Sequence, residues 1–245
     1  RADMLEDISH SQLLVRSEDE ETARELIGKL EDLQSSAEQA ELWAELKTSE
    51  DNAINEKVKG ILRYLASRCR IKTSKLNGTQ LYRPAAKYQN LLRNLGVFEV
   101  AMTVLELEAS LGDEDDEDEG SKDPREIDVQ ENTREILRLC NIFLSWFVKH
   151  NPKNQELAFG RLDVFTDYLS GGFGASKVVS EIFRGNEKLV KQFPPKLYTQ
   201  CADLLVTEMN PDILDVFEAL MWMPTHDAPN NYQVQQNIFK VLTDT

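Results

Sequence analysis

The residues that could carry chemistry are few and scattered. His10, His150 and His226 stand alone, none one helical turn from another and none with a cysteine at zinc-ligand spacing. Cys69, Cys140 and Cys201 are far apart in sequence, and each sits within an apolar helical pattern. That reads as reduced, buried thiols of a cytosolic protein rather than a disulfide framework. The stretch Gly171-Gly172-Phe173-Gly174-Ala175-Ser176-Lys177 has the glycines of a phosphate loop but not its order. Such a loop needs Gly-Lys-Ser/Thr running from a buried strand into a helix, so that backbone amides surround the phosphates. Here a helical pattern precedes it and the lysine follows the serine, so we read an interhelix hinge. The acidic run Asp113 to Glu119 lacks the alternating oxygen ligands, fixed glycine and bidentate glutamate of a calcium loop. With no Gly-x-Ser-x-Gly elbow either, the sequence proposes no catalytic residue and no cofactor, and we expect a protein that is not an enzyme.

The chain has 245 residues and a formal net charge of −15. Binding to a phosphate backbone needs clustered Lys and Arg that displace counterions, so the overall charge argues against nucleic acid. Arg63, Arg68, Arg70, Lys72 and Lys75 form a modest basic cluster. We assign it to an acidic protein partner or a neighbouring domain. No apolar stretch approaches the ~20 residues that span a bilayer. The sequence starts at Arg1 without a signal-peptide pattern, and we expect a piece of a longer chain that makes no membrane contact here.

The elements that would position these residues read as helices throughout. Leu26, Ile27, Leu30, Leu33 and Ala37 form one apolar stripe, extended by Leu42 and Trp43, and Val58, Ile61, Leu62, Leu65 and Ala66 form the next. No alternating run appears in the polar stretch Thr73 to Gln80, so no strand is expected. Leu91, Leu92 and Leu95 close a helix. Gly96 supplies its left-handed cap, and Val97 to Leu105 open the next helix. Residues 113–124 read as an acidic linker, because like charges without apolar residues cannot build a core. The strongest stripe follows, Ile136 to Val148 with Trp146 beside it, and Asn151-Pro152 ends that helix and begins another. Shorter helices separated by Gly185, Pro194-Pro195, Pro211, Pro224 and Pro229 complete the chain. The expectation is an all-α, armadillo-like solenoid of stacked antiparallel helices, with repeats at 1–112 and 125–245 on either side of the linker.

Several segments, in order, resemble one family. Tyr88-Gln89-Asn90-Leu91-Leu92-Arg93-Asn94-Leu95-Gly96 resembles the QxLLRNxG turn of the RIH domain shared by inositol trisphosphate and ryanodine receptors. Gln12 to Val15 resembles a segment of the inositol trisphosphate receptors. Glu41-Leu42-Trp43 is similar to their SELW stretch, and Lys59 to Cys69 to their helix KEILIRLSKLC. Thr133 to Cys140 with Phe143-Leu144 resembles MQEIMRLAHEFL, and Asn154-Gln155-Glu156-Leu157 resembles the NQALL helix start. The likeness covers residues 10–170, and beyond Gly171 it is one of helical pattern alone. The linker after the SELW segment is short here and the acidic run is placed elsewhere, as in a divergent member.

The resemblance implies a regulatory cytosolic segment of an intracellular calcium-release channel, on the cytosolic face of the endoplasmic reticulum. It would relay ligand-induced movement toward the pore and contact neighbouring domains and subunits of a tetramer. It also implies that the inositol trisphosphate pocket, which is rich in Arg and Lys, lies in another part of the receptor. Calcium sites of the family lie at domain junctions, which makes Glu38 and Glu41 the candidate metal ligands. Gly96, Gly171 and Gly172 are the candidate hinges, and Trp43 and Trp146 the candidate packing residues. The competing reading is a free-standing armadillo or HEAT-type adaptor that binds peptides.

Overall fold

A computed structural model describes residues 24–29, 31–33, 35, 49–109, 124–170, 172–221 and 231–244. After helical residues at 24–29 and 31–33 come α1 (Ser49–Arg68), β1 (Arg70–Leu76), β2 (Thr79–Pro84), α2 (Ala86–Asn94) and α3 (Val97–Ala109). Then follow α4 (Pro124–Val148), α5 (Pro152–Phe159), α6 (Leu162–Asp167), α7 (Ala175–Phe183), α8 (Glu187–Val190) and α9 (Pro195–Thr207). A 3₁₀ turn (Pro211–Ile213) leads into α10 (Leu214–Met221), and α11 (Asn231–Asp244) ends the described chain. The structure is mostly helical.

One expectation is overturned. Residues read as a strandless polar stretch form an antiparallel hairpin, with Ile71 opposite Arg83, Lys72 opposite Tyr82 and Leu76 opposite Thr79. The signal was Asn77-Gly78. Both residues take positive φ, 49° and 81°, which a two-residue hairpin turn requires and which Asn-Gly adopts at little cost. Polar side chains on the strands hid it, because the hairpin buries little and so shows no strong alternation.

The helices arise from the expected stripes. Leu62, Leu65, Phe98, Leu105, Phe143, Phe147, Phe165 and Phe183 are all essentially inaccessible, and burying each such side chain contributes about 1.5–3 kcal/mol. α4 lies against α1, α3 and α7, and α7 in turn against α5, α6 and α10. Of the nine residues of α7, only Lys177 escapes burial, as a helix enclosed by others must. Aromatic rings continue the contact across elements: Phe98 stacks on Phe147 at 6.0 Å, Phe159 meets Phe183 edge-on at 5.9 Å, and Phe183 meets Phe193 at 4.9 Å. All three cysteines are free and buried. Burial raises each thiol pKa, that of Cys201 to about 12, so none is a ready thiolate.

Turn chemistry follows the sequence closely. Gly96 has φ +74° between α2 and α3. Its N–H donates to Arg93 O at 3.0 Å while its own carbonyl accepts from Glu99 N, so a single residue ends one helix and begins the next. Asn151 caps α5 by accepting from Asn154 N, with Pro152 at the first helical position.

Lys59, only 3 % exposed, joins α1 to α4. Its Nζ lies 2.9 Å from Glu135 Oε2, 3.0 Å from Glu56 Oε1 and 2.6 Å from Asn132 Oδ1. Burial alone would lower the lysine pKa, but the hydrogen bonds and charge attraction of Lys59 to the two carboxylates outweigh it and the net shift is upward. The Lys59 hydrogen bond is also the largest of the causes that hold the Glu135 carboxyl below its ordinary range, with Arg63 adding to it. A depressed carboxylate stabilises the fold above its unfolded pKa, near 4.3, and loses that contribution as pH falls through the folded value. Glu135 is 42 % exposed, so solvent screening keeps its share under about 1 kcal/mol. Urea denaturation between pH 6 and about 3 will therefore show a shallower acid loss of stability in Glu135→Gln than in the wild type. Parallel profiles would contradict the clamp.

Candidate functional site

The polar groups buried deepest in the described structure are amides, and apart from Asn141, which lies within α4, they gather where helices end. The last turn of an α-helix leaves carbonyls without intrahelical donors, and each one buried unmet costs about 1–3 kcal/mol. α4 stops at Val148, with His150 at φ +52° turning the chain. Gln89 of α2, fully inaccessible, reaches across with Nε2, donating to Trp146 O at 2.6 Å and to Lys149 O at 2.9 Å. Asn154 of α5 donates from Nδ2 to Phe147 O at 2.8 Å. Together these donors meet three carbonyls at the end of α4.

The next residue serves a different helix. Gln155, 2 % exposed, donates from Nε2 to Glu181 O at 2.8 Å and Arg184 O at 3.1 Å, at the end of α7. Its Oε1 accepts from Asn186 Nδ2 at 3.0 Å, and Asn186 Oδ1 accepts from Leu189 N to cap α8. Arg93 Nη1 donates to Asn154 Oδ1 at 2.7 Å and to Asn90 Oδ1 at 3.0 Å, and Asn151 Nδ2 donates to Asn90 Oδ1 at 3.0 Å. Asn154 thereby has both its donor and its acceptor occupied, as a buried amide must.

A charged arm lies alongside. Lys149 Nζ approaches Glu181 Oε1 at 2.5 Å, Arg184 Nε approaches the same oxygen at 3.4 Å, and Arg184 Nη2 meets Glu218 Oε2 of α10 at 2.9 Å. The chain Lys149, Glu181, Arg184, Glu218 thus runs from α4 through α7 to α10. Arg161, between α5 and α6, likewise ties back to Glu106 of α3. Amides neither attack nor titrate in water's range. What this arrangement does is fix the ends of α4 and α7 to the one short helix, α5, that lies between them.

The RIH-domain family model, that of the ryanodine and inositol trisphosphate receptors, matches residues 33–242. The chain belongs to the RIH-domain family. Two of the segments that resemble the family in sequence build the network: Gln89, Asn90 and Arg93 come from the QNLLRN turn, and Asn154 and Gln155 from the NQEL helix start. Resemblance in sequence and contact in space coincide.

The candidate residues fare differently. Glu38, Glu41, Trp43 and Gly171 lie outside the described residues, as do His10, His226 and the acidic run. Gly96 and Gly172 both hold positive φ, 74° and 73°, at helix junctions. Gly174, at φ +82°, is the N-cap of α7, so the glycine-rich stretch makes the turn into that buried helix. Trp146 is half-buried on α4, 6.2 Å edge-on from Tyr82 of the hairpin. Among the described residues no group of three His, Cys, Asp or Glu side chains is placed to hold a metal ion, and no helix is long and apolar enough to cross a membrane. The amide network itself was missed as a site. Its signal was present: Gln89 falls on the same stripe as Ala85 and Leu92, both buried, where an amide is out of place unless it has partners.

Replacing Gln155 with Leu keeps the volume and leaves two carbonyls of α7 unmet, which predicts a loss of about 2–4 kcal/mol in denaturant unfolding. Removing the exposed pair partner Lys188 by Lys188→Ala should cost under about 1 kcal/mol. Equal, small losses in both variants would show that the amides are not structural.

Proposed function

We propose that this RIH domain is a non-catalytic relay segment of an intracellular calcium-release channel, taking up movement on ligand binding at one end and passing it toward the pore. Membership of the family supports the channel context. The observation that carries the relay is the pair Asn154 and Gln155, adjacent residues of α5 that hold the ends of α4 and α7 respectively. Helices tied in this way move as a body, so displacement of one is conveyed to the next instead of being absorbed in a frayed end. The helix stack is then an armadillo-like solenoid on the cytosolic face of the endoplasmic reticulum, contacting neighbouring domains and subunits of a tetramer, and Gly96, Gly171 and Gly172 are its hinges.

Arg93→Gln tests the relay in the full-length channel that carries this domain. It removes a charged donor from Asn154 while leaving α2 without a buried, unpaired charge. Ligand affinity and tetramer assembly should stay as in the wild type, while the ligand concentration for half-maximal calcium release rises severalfold. Unchanged release with unchanged binding would contradict the proposal. The same reading assigns Glu38 and Glu41 to a junctional calcium. Calcium titration of the wild type against Glu38→Gln/Glu41→Gln, followed by intrinsic fluorescence, checks this, and superimposable curves would remove the site.

A further inference from the structure

We propose that the β1–β2 hairpin is a docking surface for an extended acidic segment of a partner protein. Between Glu56 and Glu99 the chain carries Lys and Arg but no Asp or Glu, although the whole carries a net charge of −15. Positive charge is thus concentrated around the hairpin in an otherwise acidic molecule. The basic residues of α1 and of the strands divide into two groups. Those on α1 are spent internally: Lys59 and Arg63 pair with Glu135, and Arg68 with Glu25. Those on the strands are not. Lys72, Lys75 and Arg83 are exposed and, among the described residues, form no salt bridge, while Arg70 lies over the rings of Tyr82 and Trp146.

The pairing register sorts the hairpin into two faces. Tyr82, opposite Lys72, points toward Trp146 and anchors the hairpin to α4. The other face carries Ile71 opposite Arg83, Leu81 two residues before Arg83, and Leu76 opposite Thr79. Ile71, Leu76 and Leu81 are 40 %, 60 % and 39 % exposed. Among the described residues the sheet has two strands, so each has one edge without a strand neighbour there, the usual template for an added strand. An apolar strip on one face and Lys72 and Lys75 on the other fit a segment that alternates acidic and apolar residues, whose apolar side chains would extend the strip while its carboxylates meet Lys72 and Lys75, with Arg83 adding positive charge beside the strip.

Charge decides between classes of partner. Attraction to the hairpin reaches about 8 Å at physiological salt. A short peptide is small enough to meet the hairpin alone. A duplex or an anionic bilayer is a broad surface and would also face the acidic remainder of the chain, which repels it. This surface does not depend on the relay reading: a docked hairpin would serve an adaptor equally well.

The test uses the whole chain and a fluorescent peptide of alternating Glu and Val, with a Lys-Val peptide, phosphatidylserine vesicles and duplex DNA as competitors. Glu-Val binding should weaken as salt rises from about 50 to about 300 mM. It should fall roughly tenfold or more in Lys72→Glu/Lys75→Glu/Arg83→Glu and also fall in Leu81→Asn, with helical circular dichroism unchanged in both. Equal binding by the charge-reversed chain, or by the Lys-Val peptide, would overturn the proposal. So would tighter binding of vesicles or DNA than of the Glu-Val peptide.

Discussion

A helix that ends inside a protein leaves carbonyl groups that nothing in the helix can satisfy, and the rest of this RIH domain is arranged around that constraint. α4 and α7 are the elements against which most others pack, and both stop against neighbouring helices. The donors to Trp146 O, Phe147 O, Glu181 O and Arg184 O are the side chains of Gln89, Asn154 and Gln155. Hydrophobic burial supplies most of the gross stabilisation, but it is non-directional. The amides supply direction, because a carboxamide two or three bonds from its backbone reaches only certain carbonyls. They specify which end of which helix lies beside α5.

This gives a physical role to the polar residues set among leucines in the two segments that resemble the family. Leu91, Leu92 and Leu95 would pack acceptably in many helical proteins. Gln89 and Arg93 fit only where another helix ends within reach and Asn154 stands opposite. The same geometry gives mechanical meaning to adjacent residues on α5. Asn154 and Gln155 point to different helices, so the first turn of α5 is a joint between α4 and α7, reinforced by the Lys149–Glu181–Arg184–Glu218 arm. Gly96 and Gly172 turn the chain outside this joint, whereas Gly185, at φ 71° between Arg184 and Asn186, turns it within.

Much of the helical organisation was legible in sequence because burial and period coincide. Ile136, Cys140, Phe143 and Phe147 recur at helical spacing and are all buried, and Gly96 adopts the conformation its place after Leu95 demands. The hairpin was not legible as a stripe, since a small two-stranded sheet exposes most of one face; only Asn77-Gly78 announced it. The site was half legible. The resemblance picked out its segments, but the partners of Gln89 lie some sixty residues away, and no local pattern shows which carbonyl a buried amide will meet. Gln155 is similar, since its role depends on where α7 ends. The basic cluster was read as one surface, whereas the structure commits Arg63 and Arg68 to internal pairs and leaves the strand residues outward.

The central claim is that α4 and α7 are held as one body through α5. Native-state hydrogen exchange on Gln89→Leu, a substitution that removes donors only from the end of α4, tests it most directly. If the joint is real, protection falls in the last turn of α4 and also at Ile182 and Phe183 in the last turn of α7, by similar free energies, because the two ends open together. Loss of protection confined to α4, with α7 as in the wild type, would mean that the two helices are merely neighbours.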